Sequence, residues 1–309
     1  MLSFFIILVL NFGLMQAAPG DPVQRFARSS RLTLADQERL REEFGLDKSM
    51  PVQFFVYLKN AAKGDFGLSF ITGQPVRQVI LAHTWPTLLL VGLATILATI
   101  IGVFAGIVSA WRRGSATDKA ISAVGMAFYA MPDFWLGMML LIIFAGWLAW
   151  FPVGGYSDPQ AATTGFPHLL DVARHLTLPC AALTVGYLAE YQLIMRSALL
   201  DVMGEDFITI TRAKGLRDSK VRMRHAVPNA MLPTITMTML YFGYVVGGAI
   251  GVEFVFSYPG LGTLTANAIE AQDYPMQQGL LLMFAAIVLA ATLFTDVLYG
   301  YLDPRIREA

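Results

Sequence analysis

Residues 85–111 read WPTLLLVGLATILATIIGVFAGIVSAW, without one charged side chain. A helix rises about 1.5 Å per residue and needs roughly 20 apolar residues to cross about 30 Å of hydrocarbon. Trp85 and Trp111 would then stand about 39 Å apart along the axis, where an aromatic side chain at each membrane–water boundary is expected. The stretch predicts a transmembrane helix. Composition extends that reading to the whole chain: of 309 residues, 56% are hydrophobic and 14% charged, and mean hydropathy is +0.57. Soluble domains carry about 25% charged residues. An ordinary soluble enzyme, a disordered chain and a disulfide scaffold are thereby excluded. Basic and acidic residues balance at 22 each, so no excess charge points to nucleic acid. The single cysteine, Cys180, has apolar flanks and reads as a small buried hydrophobe.

Five further spans are expected around this one. The first covers residues 2–18. Ala17 and Ala18 would suit a signal-peptide cleavage site, but no basic residue precedes the apolar run, so it reads as a retained helix whose start lies upstream of Met1. The third runs over 121–150 and is interrupted at Pro132-Asp133; the others cover about 176–195, 226–252 and 276–301. Domain organisation is therefore a first helix at 1–18, an external cap at 19–83 and a membrane core at 84–309. Within the cap, Thr33 to Asp36 has a capping-box pattern, followed by Leu40, Phe44 and a stop at Gly45. A second cap helix is expected to start at Pro51, repeat through Phe54/Phe55, Leu58 and Ala62, and end at Gly64.

Loop charges set the orientation. Residues 111–119 carry Arg112, Arg113 and Lys119 against Asp118, and 196–224 carry seven bases against four acids. The opposite loops are acidic, with Asp158, Asp171, Glu253, Glu270 and Asp273 against Arg174. The positive-inside rule places the basic loops and both termini in the cytoplasm.

No catalytic constellation is legible: there is no phosphate-binding loop, and no Gly-Lys dipeptide at all. His83, His168, His175 and His225 are scattered without metal-ligand spacing. The informative segment is the cytoplasmic loop at 201–226. Phe207, Ile210, Ala213 and Leu216 form an apolar stripe, Gly215 interrupts helix propensity, and Pro228 and Pro233 are expected to end the loop's second half. An amphipathic helix on the inner leaflet and a docking face for a soluble partner both fit this pattern.

Spacing favours docking. Gly215, nine residues, then His225-Ala226-Val227-Pro228 resembles the cytoplasmic loop signature of binding-protein-dependent ABC importer permeases. It departs from the general pattern in its Thr209-Ile210-Thr211 triplet and its ending. Those departures resemble the dipeptide/oligopeptide/nickel subgroup, as do Glu205-Asp206-Phe207, Thr211-Arg212-Ala213-Lys214-Gly215-Leu216, Arg224-His225-Ala226, Asn229-Ala230 and Leu232-Pro233. Pro19-Gly20-Asp21-Pro22, Gly45-Leu46-Asp47-Lys48, Gly64-Asp65-Phe66-Gly67-Leu68-Ser69, Pro132-Asp133-Phe134-Trp135, Pro259-Gly260-Leu261-Gly262, Asp273-Tyr274-Pro275 and Asp303-Pro304-Arg305-Ile306 fall in the family's order across nearly the whole chain. One departure stands in the fourth span, where Leu193 replaces the first arginine of an Arg-x-x-Arg-Ser pattern and only Arg196-Ser197 remains.

The resemblance implies an all-α membrane protein of the type I ABC importer permease fold, with six transmembrane helices and a small helical cap after the first. It further implies a bacterial inner-membrane location, and partners: a second homologous permease, one or two ATP-binding cassette subunits carrying ATP and Mg²⁺, and an extracytoplasmic solute-binding protein. This chain itself would bind no cofactor and catalyse nothing. Glu205, Asp206, Phe207, Ile210, Arg212, Ala213, Lys214, Gly215, Leu216 and Pro228 would couple it to the ATPases.

Three acids lie in or at the ends of spans: Asp133, Glu190 and Asp296. A charge in hydrocarbon costs at least about 2.5 kcal/mol, so each must face protein or water. Glu190 with Tyr187 and Tyr191, and Asp133 with Phe134 and Trp135, are candidates for a translocation path; packing between helices is the alternative. Gly243, Gly247, Gly248 and Gly251 offer a close-packing face, either at a subunit seam or within the chain. A transport subunit is favoured over a membrane scaffold because of these embedded acids, and over a secondary transporter because no inverted repeat is legible. The expected solute is a short peptide or peptide-like molecule. Nickel is the alternative, but clustered nitrogen, oxygen or sulfur ligands are missing from the pattern.

Overall fold

The computed structural model describes residues 2–17, 48–160, 164–235, 238 and 249–302. Its regular structure is helical. Among the described residues there is no strand, only an isolated antiparallel bridge between Leu68 and Pro75. The chain divides into two compact units, one of residues 1–87 and 259–289, the other of 88–258 and 290–309.

In the first unit, α1 (Leu2–Ala17) and α2 (Met50–Lys63) meet through aromatic side chains. The Phe12 ring lies edge-on to Phe54 at 5.2 Å and tilted on Tyr57 at 5.7 Å. Asn11, buried in a mainly apolar helix, donates to the Tyr57 hydroxyl at 3.1 Å, so its amide does not enter apolar surroundings unpaired. Helix α2 follows its sequence signals. Pro51 stands in its first turn and Gly64 closes it at φ +68°, a left-handed turn that glycine enters without steric cost. The cap helix expected from Thr33 lies outside the described residues.

The second span belongs to α3 (Val76–Trp111), which begins nine residues before Trp85 and carries Pro86 inside. It is long and apolar enough to cross a membrane, as are residues Tyr274–Phe294 of α11 (Tyr274–Leu302). The start of α10 (Leu261–Glu270) is tied to α3, because the Leu261 amide donates to the Thr87 hydroxyl at 2.7 Å. In the second unit, α4 (Ala116–Tyr129) and α5 (Asp133–Leu140), the latter extended by a π-helical stretch at Leu141–Trp147, are together long and apolar enough for a third span, and are bent by 97° at the Pro132 break. The fourth expected span lies inside α6 (Gly165–Met203), which overruns it at both ends. It is long enough to cross but more polar than the others, because Tyr187, Glu190, Tyr191 and Gln192 interrupt the apolar run. Residues 236–237 and 239–248 of the fifth span, including Gly243, Gly247 and Gly248, lie outside the described residues, as does the Asp296 side chain.

Small residues let α3, α4 and α6 close on one another. A Cβ at Gly102 would stand 2.6 Å from the Tyr191 Cβ, and one at Gly106 would stand 2.7 Å from the Gln192 carbonyl oxygen. A Cβ at Gly125 would meet the Gln192 Oε1 at 3.0 Å. Gly102, Gly106 and Ser109 share one face of α3 at intervals of four and three, the small-residue pattern that favours helix contact in lipid.

One sequence expectation is corrected. Pro228 and Pro233 do not end the loop's second half; helical backbone continues over 227–235. The π-helical turn at Arg222–Ala226, with the Val227 amide bonded to the Arg222 carbonyl, widens the helix just ahead of Pro228, and its ring is thereby accommodated. Asp133 is the first residue of α5 and makes no side-chain cap; Pro132 occupies the cap position.

Candidate functional site

The loop after α6 folds into α7 (Asp206–Ala213), a turn at Lys214 and Gly215, and α8 (Asp218–Val221). Asp206 in the first turn and Arg212 in the last complement the helix dipole. Gly215 adopts φ +75°, a conformation strained for any residue with a Cβ. The anchor of α7 is Ile208, 0% exposed, packed with Ala110, Met195, Leu199, Val221, Ala226, Val227 and Ala230. Leu216 is partly buried against the same cluster. The other stripe positions face outward: Phe207 is 40% and Ile210 56% exposed, and Ala213 is exposed beside them. Glu205, Asp206, Arg212, Lys214, Gly215 and Pro228 are exposed too. The Arg212–Asp218 pair, 3.6 Å apart and open to solvent, adds little stability. Helix α7 therefore seats Ile208 in its own chain and leaves Phe207 and Ile210 uncovered.

The expected path residues separate into two groups. Asp133, half-buried, lies directly against the Cα of Gly186 on α6, leaving no room for a side chain there. Phe134 stands against Gly251, whose added Cβ would come within 3.0 Å of the Phe134 Cβ, so this glycine serves packing within the chain. Tyr187 lies in electrostatic reach of Asp133, Tyr191 and Glu253. Phe134 and Trp135 expose their rings, and Glu190 is half-buried. Tyr191, by contrast, is buried against α3 at Gly102.

Sequence reasoning missed three acids. Glu253, on α9 (Ile250–Val255), and Asp273 counted as loop charges, yet both are fully buried. Asp118 likewise counted as a loop charge. Its Oδ1 and Oδ2 accept from Arg196 Nε at 2.8 Å and Nη2 at 3.0 Å, Oδ1 accepts from the Ser109 hydroxyl, and Oδ2 accepts from the Gly114 amide at 2.9 Å. The Arg196 fork, then Ser109 and the Gly114 amide, hold the Asp118 carboxyl well below the usual carboxylate range. The only sequence signal was spacing: Ser109 follows Gly102 and Gly106 on one helix face, and Arg196 follows Gln192 by four. Cys180 is buried near Thr184. Among the described residues no group of three His, Cys, Asp or Glu side chains is placed to hold a metal ion.

Residues 98–308 match the family described as the binding-protein-dependent transport system inner membrane component. The oligopeptide transport system permease protein AppB of Bacillus subtilis (strain 168) is 36% identical over 97% of this chain and 94% of its own length. The di/tripeptide transport system permease protein DppB of Pseudomonas aeruginosa (strain UCBPP-PA14) is 35% identical over 99% of this chain and 95% of its own length, and the dipeptide transport system permease protein DppB of Escherichia coli (strain K12) matches to the same extent. In fold, the chain is similar to one from the inward-facing MetNI methionine ABC transporter, with a TM-score of 0.58 at 17% identity over 73% of this chain and 97% of that one. That likeness bears out the type I importer permease fold. An exposed apolar face on an anchored loop helix, acids and tyrosines within the helical core, and relatives matched over nearly their full length converge: the chain belongs to the family of binding-protein-dependent transport system inner membrane components.

Proposed function

We propose that this chain is the transmembrane permease subunit of an ATP-driven importer for short peptides or peptide-like solutes, working by alternating access. It pairs with a second, homologous permease. One or two ATP-binding cassette subunits, which carry the ATP and Mg²⁺, dock on the loop at 205–216, and an extracytoplasmic solute-binding protein delivers the solute. Both termini are cytoplasmic and the membrane is the bacterial inner membrane, in keeping with the basic short loops. The observation that carries the reading is the exposure of Phe207 and Ile210 on a helix held from its other side by Ile208. Covering such side chains recovers about 25 cal/mol per Å², which a soluble ATPase would supply. The peptide assignment is supported by relatives named as oligopeptide, di/tripeptide and dipeptide permeases.

Ala213→Glu tests the docking. A carboxylate buried unpaired in the contact costs about 3–5 kcal/mol, so the purified permease pair is expected to lose its ATPase subunits; unchanged co-purification and ATP hydrolysis would place docking elsewhere. The solute is tested by uptake in cells carrying the whole transporter, with radiolabelled trialanine and nickel each competed by the other. Peptide accumulation is expected; nickel uptake that peptide does not compete, without peptide accumulation, overturns the assignment.

A further inference from the structure

Behind the loop helix, three helices meet at one polar joint. Ser109 is fully buried near the end of α3, Asp118 is buried in the first turn of α4, and Arg196 reaches both from α6, with Nε 3.1 Å from the Ser109 Oγ and 2.8 Å from the Asp118 Oδ1. Two of its members adjoin the apolar cluster that seats Ile208. Ala110 follows Ser109, Met195 precedes Arg196, and both belong to that cluster. Trp111 carries the Arg222 guanidinium from the loop's π-helical turn 4.9 Å above its ring. Above the joint the same three helices are in close contact at Gly102, Gly106 and Gly125, which leaves few side chains able to slide. Helix α4 then leads to the 97° bend and to Asp133.

A buried ion pair is weak grounds for stability, since apolar side chains of like volume do as well. What the guanidinium fork adds is direction: two parallel bonds fix Asp118 against Arg196 in one orientation. We propose that the Ser109–Asp118–Arg196 joint locks the loop-side ends of α3, α4 and α6 into one rigid body with the coupling loop. Displacement of the loop by the ATPases is thereby delivered to the bent span at Asp133 without being absorbed between helices. Arg196 and Asp118 are positioning residues in this scheme. It rests on the docking role of residues 205–216 proposed above.

The test uses the full transporter with spin labels at two exposed positions outside the docking segment, Lys119 on α4 and Lys220 on α8, compared without nucleotide and with ATP trapped. In the parent complex the label separation should be narrow and shift by less than the about 1–2 Å typical of helix displacements. In Asp118→Asn it should broaden and become nucleotide-dependent, while trialanine transported per ATP hydrolysed falls about 5-fold or more. A nucleotide-dependent separation in the parent, or an unbroadened one in Asp118→Asn, overturns the proposal. If Asp118→Asn does not assemble, Arg196→Lys, which keeps the charge and loses the fork, is read in the same way. Failure of both to assemble makes the joint a folding element and overturns the proposal as well. The distance reading needs no solute, and Ala213→Glu separates the outcomes: ATPases retained there reject the docking role, whatever the label distances show.

Discussion

Each compact unit contains a buried serine–aspartate contact, and the two are built from different partners. In the second unit Asp118 is neutralised by a cation, Arg196, with the Ser109 hydroxyl and one backbone amide as its further donors. In the first unit the donors to Asp273 among the described residues are neutral: the Ser69 hydroxyl at 2.6 Å, the Ile71 amide at 3.3 Å and the Met276 amide at 3.3 Å. Asp273 stands immediately before α11, so its carboxylate caps that helix and faces the positive end of its dipole. Ser69 closes a turn, accepting from the Thr72 amide at 3.1 Å. The first contact joins three helices through a charge pair; the second ties a cap loop to a helix start through backbone groups. A carboxylate can thus be buried with a guanidinium or with a helix terminus, and the two should respond differently to substitution.

Arg196→Ala should show the largest effect, because it leaves Asp118 buried without its cation. A loss near the low end of about 3–5 kcal/mol is expected, since Arg196 is partly solvated, measured as unfolding free energy in detergent. Acid titration sharpens the comparison. Asp118 is depressed in the folded state, so its contribution is fully present above the ordinary carboxylate pKa of about 4 and is lost only as pH falls through its folded value. Between pH 7 and about 4.5 the parent therefore loses none of this contribution, whereas Arg196→Ala, its Asp118 buried without a cation and so favouring the neutral acid, should regain stability as the pH falls, and the difference between the two should shrink; a difference that stays constant would mean that Asp118 is solvated once Arg196 is gone.

Gly106→Ala should come next. The new methyl would stand 2.7 Å from the Gln192 carbonyl and 2.8 Å from the Met195 Cβ, an overpacking that costs about 1–3 kcal/mol and separates α3 from α6. Full stability in this variant would show that the helices can part without loss. Asp273→Ala should lose about 1–2 kcal/mol as a helix cap, without the further cost of a stranded cation. If Asp273→Ala instead proves as damaging as Arg196→Ala, the two carboxylates are burdened alike and the contrast between them fails.

Legibility in the sequence tracks the range of the interactions. The spans at 85–111 and 276–301, the break at Pro132-Asp133, the cap helix from Pro51 to Gly64 and the turn at Gly215 were all readable. Each depends on hydrophobic run length or on the backbone preferences of proline and glycine, which act within a few residues. The loop stripe was half readable: Phe207, Ile210 and Ala213 share a face, but Ile208, outside that stripe, proved to be the anchor, because α7 is seated by the side chain that points at Met195 and Leu199.

The amino-acid sequence by itself determined an all-helical membrane chain, the approximate places of its turns, and the loop that exposes apolar side chains. Those features arise from local hydropathy and from φ restrictions. Only the tertiary structure decided the fate of the charges. Asp118, Glu253 and Asp273 look in sequence like solvated loop residues, and Asp118 is joined to Arg196 across 78 positions and Asp273 to Ser69 across 204. Burial of a carboxylate depends on whether a guanidinium, a hydroxyl or a helix terminus arrives beside it. For Asp118 that arrival is set by how the helices close at Gly102, Gly106 and Gly125.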